Sequence, residues 1–392
     1  MTASRPALLE RVGYGGPVLL RYHPSFEEEL AASLEGEPLS TPPSGVVVEV
    51  HRLLAPLLKL LAGADACVLA TPLSAAAGSV PPFSCTDGKC LSLEQAQQRA
   101  YLPWGLTSAT RAEAALLTPA YLWPAHEAVC RVQSRVFSLA LEQRLGIALP
   151  GAEQFSTRAA LERGVAAQSG AFVLKHLYGV AGRARVFGAP ERGGLSPGAW
   201  RWCEKVLAHH PLILEPWVER VQDFGTQFWI PEQGPAVHLG TLELLNEPNG
   251  TFRGHKLPAL REDQLPAGLL SWGLKICEAV RAAGYWGPLG LDSFTHHAAE
   301  GVKLRPLVEL NARLTMGMVA LGLAELLPPG EVGDWRVVMR SGKQQAEQRA
   351  RLSAWAQAGA RLLRYSPAGL EEISIAELED ETEGIFIRLH GD

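Results

Sequence analysis
Residues 309–313 read Glu-Leu-Asn-Ala-Arg, three polar side chains separated by two apolar ones. On a β-strand, residues two apart share a face, so Glu309, Asn311 and Arg313 form a polar row while Leu310 and Ala312 turn to the opposite side. Such a strand needs a core behind it and something polar in front of it. Residues 289–294 read as a second strand, and if the two pair, Asp292 comes beside the row, giving two carboxylates and an amide oxygen. Hard oxygen donors of this kind suit magnesium, which takes few protein carboxylates and completes its shell with water and the phosphates of a bound nucleotide. The alternative is a solvated strand on which Glu309 and Arg313 neutralise each other.

Around this row the chain has 392 residues, against roughly 100–200 per domain, so two or three lobes are expected. Hydrophobic residues make up 47% and charged residues 20%, the composition of packed cores and not of a disordered chain. The net charge is −5 without any run of lysines or arginines, so no broad basic face for nucleic acid is visible. The longest uncharged stretch, 66–86, contains Pro72, Gly78, Pro81 and Pro82 and cannot form a continuous spanning helix, so no membrane contact is expected. The first ten residues reach Glu10 before any apolar segment of leader length, which makes the cytoplasm the expected compartment. Six cysteines include no C-x-x-C pair. Cys85 and Cys90 bracket the turn-forming Thr86-Asp87-Gly88-Lys89 and read as free thiols at a hairpin, a metal there being the alternative.

Strands are expected at 16–22, 46–50 and 67–70 and a helix at 53–61, an alternation that builds a parallel sheet. Apolar residues recur at helical spacing over 128–145 and stop at Gly146, a helix-terminating glycine, with a short strand expected at 147–150. Ser156 or Thr157 caps a helix reaching about Gln168, and strands follow at 171–175 and 183–187 around the glycine-bearing turn 178–182. Further strands are expected at 212–218, 226–230 and 237–245, then a helix at 268–283 closed by Gly284, then strands at 289–294 and 304–310 around a polar loop. Residues 331–392 show mixed helical patterning and an acidic cluster at 371–383 that reads as solvated surface. His209 and His210 fall at a helix end. His296 and His297 fall in the loop between the last two strands, where a general base is chemically reasonable although paired loop histidines are usually solvent-exposed. Trp217 and Trp229 read as packing residues.

Lys175 ends a buried strand just before Gly179 and Gly182, so its ammonium can reach a phosphate that backbone N–H groups approach across the glycines; such a lysine is otherwise simply a strand end. Neither a G-x-x-x-x-G-K-[ST] loop nor a G-x-G-x-x-G after the first strand is present. Taken in order, these features resemble the ATP-grasp superfamily of ATP-dependent ligases over about residues 130–321. The resemblance rests on Val132 to Arg135 with Leu145 to Gly151, on Phe172 to Lys175 followed by Gly179 and Gly182, and on Leu214-Glu215-Pro216-Trp217-Val218-Glu219. It closes on Gly284 to Gly287, Asp292 and Glu309 to Arg313. Two positions depart from the family's pattern: Arg135 stands where a phosphate-binding lysine is usual, and Arg183-Ala184-Arg185 follows Gly182 where further glycines are common.

The resemblance implies an α/β (α+β) ATP-grasp fold, with an N-terminal open α/β lobe at 1–125, a small lobe at 126–211, a large lobe carrying the metal site at 212–330 and a C-terminal extension at 331–392. It assigns Arg135, Lys175, Gly179 and Gly182 to the nucleotide phosphates, the hinge Glu215, Trp217, Val218 and Glu219 to adenine and ribose, and Asp292, Glu309 and Asn311 to magnesium, with manganese as its substitute. Arg313 would face the γ-phosphate or acyl group beside Glu309 and Asn311. The implied reaction is ATP-dependent activation of a small-molecule carboxylate as an acyl phosphate and its coupling to an amine, by a chain that forms a homodimer as family habit has it. Phosphoryl transfer to a hydroxyl, transfer of the acyl group to a thiol, and nucleotide binding without turnover are the other readings.

Overall fold
Apolar runs at the start of the chain become the buried strands of a small parallel sheet. Val18–Arg21 lies between Cys67–Val68 and Ala100–Pro103, parallel to both, with Leu19 opposite Cys67 and Tyr101. All four of its residues are buried, as a strand covered on both faces requires. This computed structural model describes residues 7–14, 16–23, 25–35, 45–62, 65–70, 83–117, 123–179, 184–338, 345–366, 369–374 and 384–390. The valine run expected as a strand at 46–50 lies instead in the helix Gly45–Leu54. That helix continues as the 3-10 helix Ala55–Leu61, with Pro56 in its first turn and Ala55, Leu57, Leu58 and Leu61 buried. β-branched residues favour strands only where a sheet offers them neighbours, and Val48, on this helix, is exposed. The hairpin around Cys85 and Cys90 forms as expected, Phe83–Ser84 pairing with Cys90–Leu91.

One long helix was expected over 128–145, and two are present, His126–Gln133 and Arg135–Leu145. Ser134 separates them in extended conformation and caps the second by accepting from Phe137 N, while Gly146 ends it at φ 69°. No strand occupies 147–150, where the chain turns toward Gly151 at φ 87° and the strand begins only at Glu153–Phe155. That strand, Leu212–Pro216, Phe172–Lys175 and Arg185–Gly188 form an antiparallel four-stranded sheet in this order. Helices Arg158–Ala166, capped by Thr157, and Pro197–Leu207, capped by Ser196, close it over a core that includes Leu161, Phe172, Cys203 and Leu214.

The remaining strands form a single nine-stranded sheet. From one edge its order is Gly301–Asn311, Gly287–Ala298, Arg220–Ile230, Val237–Asn246, Phe252–Leu257, Gly333–Val338, Gly384–Leu389, Leu362–Ser366 and Gly369–Ile373. The segment read as a separate extension from 331 therefore supplies four strands to the same sheet as Asp292 and Glu309. The joint at its middle is tight: Trp335, 1% exposed, stacks on His255 and donates its indole N–H to His255 Nδ1 at 2.9 Å. His296 and His297 are not in a loop but on the strand Gly287–Ala298, opposite Lys303 and Val302, with His296 buried. Of the acidic cluster, Glu371 and Glu372 pair with Arg364 and Arg361, and 375–383 lie outside the described residues. Among the described residues no helix is long and apolar enough to cross a membrane.

Candidate active site
The register of the hairpin formed by Gly287–Ala298 and Gly301–Asn311 sets Asp292 directly opposite Glu309 and Gly290 opposite Asn311. On its other side Asp292 faces Gly225. Both glycines let neighbouring side chains pack directly on the sheet here: a Cβ on Gly290 would lie 2.6 Å from Thr315 Cγ2, and one on Gly225 would lie 3.0 Å from Leu244 Cδ2. Burial and the adjoining Glu309 charge push the Asp292 carboxyl up to about 7, with Asp223 adding to the effect and Arg313 and Arg220 opposing it. Two carboxylates held together in this way repel unless a cation lies between them or one takes a proton. No group of three or more His, Cys, Asp or Glu side chains forms a metal cage among the described residues. The pair with Asn311 is instead the sparse oxygen set that magnesium accepts when water and phosphate complete its shell.

Cations from the small lobe face this pair. The break at Ser134 puts Gln133 and Arg135 on either side of it: Gln133 Oε1 accepts from Ala312 N at 2.7 Å, and Arg135 Nη2 donates to Glu309 Oε1 at 2.8 Å. Arg135 Nη1 donates to His176 O at 2.9 Å, whereas its Nε is buried with no hydrogen-bond partner among the described residues. Arg185, opposite Lys175 in the sheet, lies within the fields of Arg220, Arg135 and Glu309; burial first and the two arginines next lower its pKa.

Lys175 and Glu215 are together but deeper than expected. Lys175 Nζ donates to Glu215 Oε2 at 2.7 Å, and Arg305 Nη1 donates to the same oxygen at 2.8 Å. Arg305 also grips Glu142 with two bonds, Nε to Oε1 at 2.8 Å and Nη2 to Oε2 at 2.9 Å. Burial would raise the Glu215 pKa, but Arg305 and Lys175 hold it well below the carboxylate range; burial lowers that of Lys175. The Glu215 carboxylate, 5% exposed, thus lies inside a charge cluster and does not line an open ribose site. In the same hinge Trp217 donates its backbone N–H to Ala171 O at 2.7 Å and packs edge-on against Phe187, Val218 is half-buried and Glu219 is exposed. Gly179 is half-buried, and Gly182 lies outside the described residues. Arg313 turns toward the N-terminal lobe: Nε donates to Glu27 Oε1 at 2.7 Å, Nη2 to Asn311 Oδ1 at 3.0 Å and Nη1 to Leu314 O at 3.0 Å.

Glu142, Arg305, Arg220, Asp223 and Gln133 were not singled out from the sequence. Arg305 lies four residues before Glu309 on the same strand, but the apolar Leu307 between them interrupts the polar row, so spacing alone does not mark it. Glu142 and Gln133 lie on helices with no local pattern that ties them to a distant strand.

No family model matches the chain. A [butirosin acyl-carrier protein]–L-glutamate ligase of Niallia circulans is 36% identical over 106 residues, 26% of this chain, and the match spans 24% of that relative's length. The N5-carboxyaminoimidazole synthetase of Staphylococcus aureus, solved with ADP, superposes with a TM-score of 0.52 at 10% identity, over 96% of this chain and 94% of that one. An N5-carboxyaminoimidazole ribonucleotide synthetase in its ADP complex gives 0.54 at 14% identity, over 100% and 95%. A whole-length superposition of this kind, with an N-terminal parallel sheet, a small antiparallel lobe and an acid-bearing hairpin in a large sheet, shows that the chain has the ATP-grasp fold of these synthetases.

Proposed function
We propose that the chain is an ATP-dependent, ADP-forming ligase that activates a small-molecule carboxylate as an acyl phosphate and couples it to an amine. The observation that carries this reading is the Asp292–Glu309 pair, two like charges side by side on one sheet and met by Arg135 from the other lobe. The ligase named among the relatives and the ADP complexes among the similar structures support it. In this reading the lobe at 126–211 closes over the lobe at 212–330 with the nucleotide between them, behind an acceptor lobe at 1–125 and beside 331–392. Asp292, Glu309 and Asn311 would hold magnesium, or manganese in its place, which supplies charge neutralisation on the transferring phosphoryl group. The orphaned Nε of Arg135 and the guanidinium of Arg185 suit phosphate oxygens, and Lys175 stands behind them. Gly179 and Gly182 would let backbone N–H groups approach, while Trp217, Val218 and Glu219 frame the base and ribose. Preorganised cations offset charge as it grows on the phosphoryl group, and no covalent nucleophile is required. Arg313 holds the N-terminal lobe against the metal strand, and the chain works in the cytoplasm, as a homodimer.

Incubation with ATP, magnesium and a panel of carboxylic acids in hydroxylamine tests the reading. A coloured hydroxamate formed with stoichiometric ADP is expected. ADP release that never yields hydroxamate or amide would instead identify a kinase.

A further inference from the structure
A groove of about 430 Å³ opens where the N-terminal lobe meets the large lobe, a volume within the range of small-molecule sites. Val12, Tyr14 and Ala100 line it from the N-terminal lobe, and Trp229, Glu232 and Trp286 line it from the large lobe. Trp229 lies opposite Pro288 in the sheet and Trp286 precedes that proline by two residues, so the two indoles are diagonal neighbours. Tyr14 stands edge-on to Trp229, with ring centroids 5.3 Å apart and planes at 71°. No residue of the acid row lines the groove, and the adjoining slot toward Ala312 and Arg313 has only about 20 Å³, room for about one water.

The indoles of this groove differ from most others in the chain in what lies over them. Trp104, Trp200, Trp217, Trp272 and Trp355 each have an arginine or lysine of the chain over the ring, 4.1 to 5.4 Å from its centroid. Among the described residues none lies over Trp229 or Trp286, and no Lys, Arg or His lines the groove. The nearest arginines in sequence turn to carbonyl oxygens, Arg11 Nη2 donating to Leu239 O at 3.2 Å and Arg281 Nη1 to Gly234 O. The one charge on the wall is Glu232, which is exposed and has no ion-pair partner among the described residues. Aromatic rings with a lone carboxylate are the electrostatic complement of an organic cation. A methylated ammonium asks for no hydrogen-bond acceptors, whereas a primary ammonium brings three N–H donors to one carboxylate. We propose that the groove binds a methylated alkylammonium ligand, its head against Trp229, Trp286 and Glu232 and its carbon chain along Val12 and Ala100. The site is separate from the acid row, so the proposal goes beyond the ligase reading and does not depend on it. A ligand seated there touches both lobes and stabilises their docking.

Choline and its neutral isostere 3,3-dimethylbutan-1-ol differ in charge and hardly in shape, and calorimetry on the full chain compares them. Choline should bind about tenfold more tightly than the alcohol, quench tryptophan fluorescence saturably, and raise the Tm above its value in sodium chloride of equal ionic strength. Glu232→Gln should weaken choline binding about threefold. Trp286→Ala should weaken it about tenfold, with Trp286→Phe restoring part of the loss. Tyr14→Ala serves as the second variant, and a cooperative urea transition reports that each variant is folded. Three results overturn the proposal: the alcohol binding as tightly as choline, no saturable choline binding to the unaltered chain, or unchanged choline affinity in both folded alanine variants. None of them touches the ligase reading, which the hydroxamate assay decides separately.

Discussion

Two charge clusters lie within a few strands of each other and obey opposite rules. In the first, Glu142, Arg305, Glu215 and Lys175 are each less than a tenth exposed, and every acid touches a base. In the second, Asp292 and Glu309 stand acid beside acid and half-buried, with one carboxyl pushed up to about 7. The closed quartet draws on a helix, two strands of the small sheet and one strand of the large sheet, so its ion pairs tie the lobes together. The open pair sits on one hairpin and keeps an unfavourable arrangement that a bound cation or a proton on one carboxyl relieves, with Arg135 pairing only Glu309. Balanced buried charge therefore marks how the lobes are held, and unbalanced charge marks where chemistry is expected.

Breaking the quartet should have the largest effect. Arg305→Met leaves Glu142 and Glu215 buried with one base between them, and removing one partner of a buried pair costs about 3–5 kcal/mol. Urea unfolding should show that loss, and a change below about 1 kcal/mol would mean the quartet is not what ties the lobes. Altering the open pair should spare the fold and strike turnover. Glu309→Gln is expected to lower hydroxamate formation by about a hundredfold or more, while ATP analogue affinity measured by calorimetry changes only a few-fold, because a lost carboxylate acts mainly on charge that grows in the transition state.

Lys175 belongs to the quartet by contact and to the nucleotide by expectation, so Lys175→Ala probes the boundary between the clusters. A phosphate contact worth about 1.5–3 kcal/mol should vanish from the binding isotherm. Unchanged nucleotide affinity with reduced stability would return Lys175 to a purely structural role. The smallest effect should come from pH. Asp292 must shed its proton to hold a metal, so magnesium affinity should rise about tenfold per unit up to about 7 and level off above, with proton release detectable by calorimetry in two buffers. The linked stability term has the opposite sign: a carboxyl raised on folding favours the native state below its ordinary pKa, and that contribution is lost as pH climbs toward about 7.

The open pair was legible in the sequence because strand alternation is a local property. Glu309 and Asn311 announce their shared face through spacing alone, and the observed pairing brings Asp292 opposite Glu309. The quartet was not, because Glu142, Lys175, Glu215 and Arg305 are distant in sequence and meet only through tertiary packing. Lys175 and Glu215 were accordingly placed on the nucleotide, where their types fit, and not on each other. The valines of 46–50 misled for a related reason, since β propensity is realised only where a sheet supplies neighbours and this run is helical. The strands after 333 were missed because their alternation is interrupted by charged residues, such as Asp334 paired with Arg388, that find partners only once the sheet exists.

The continuity of the nine-stranded sheet bears on how the molecule is made. Phe252–Leu257 is an interior strand, held on one side by Val237–Asn246 and on the other by Gly333–Val338. On a ribosome the acid hairpin emerges before that second neighbour does, so for part of synthesis an unsatisfied row of backbone N–H and C=O groups faces outward, able to recruit another chain. Once made, Gly333–Val338 covers that edge. A product cut short before residue 333 would carry every residue of the acid pair and yet be lost to aggregation, so its inactivity would say nothing about catalysis.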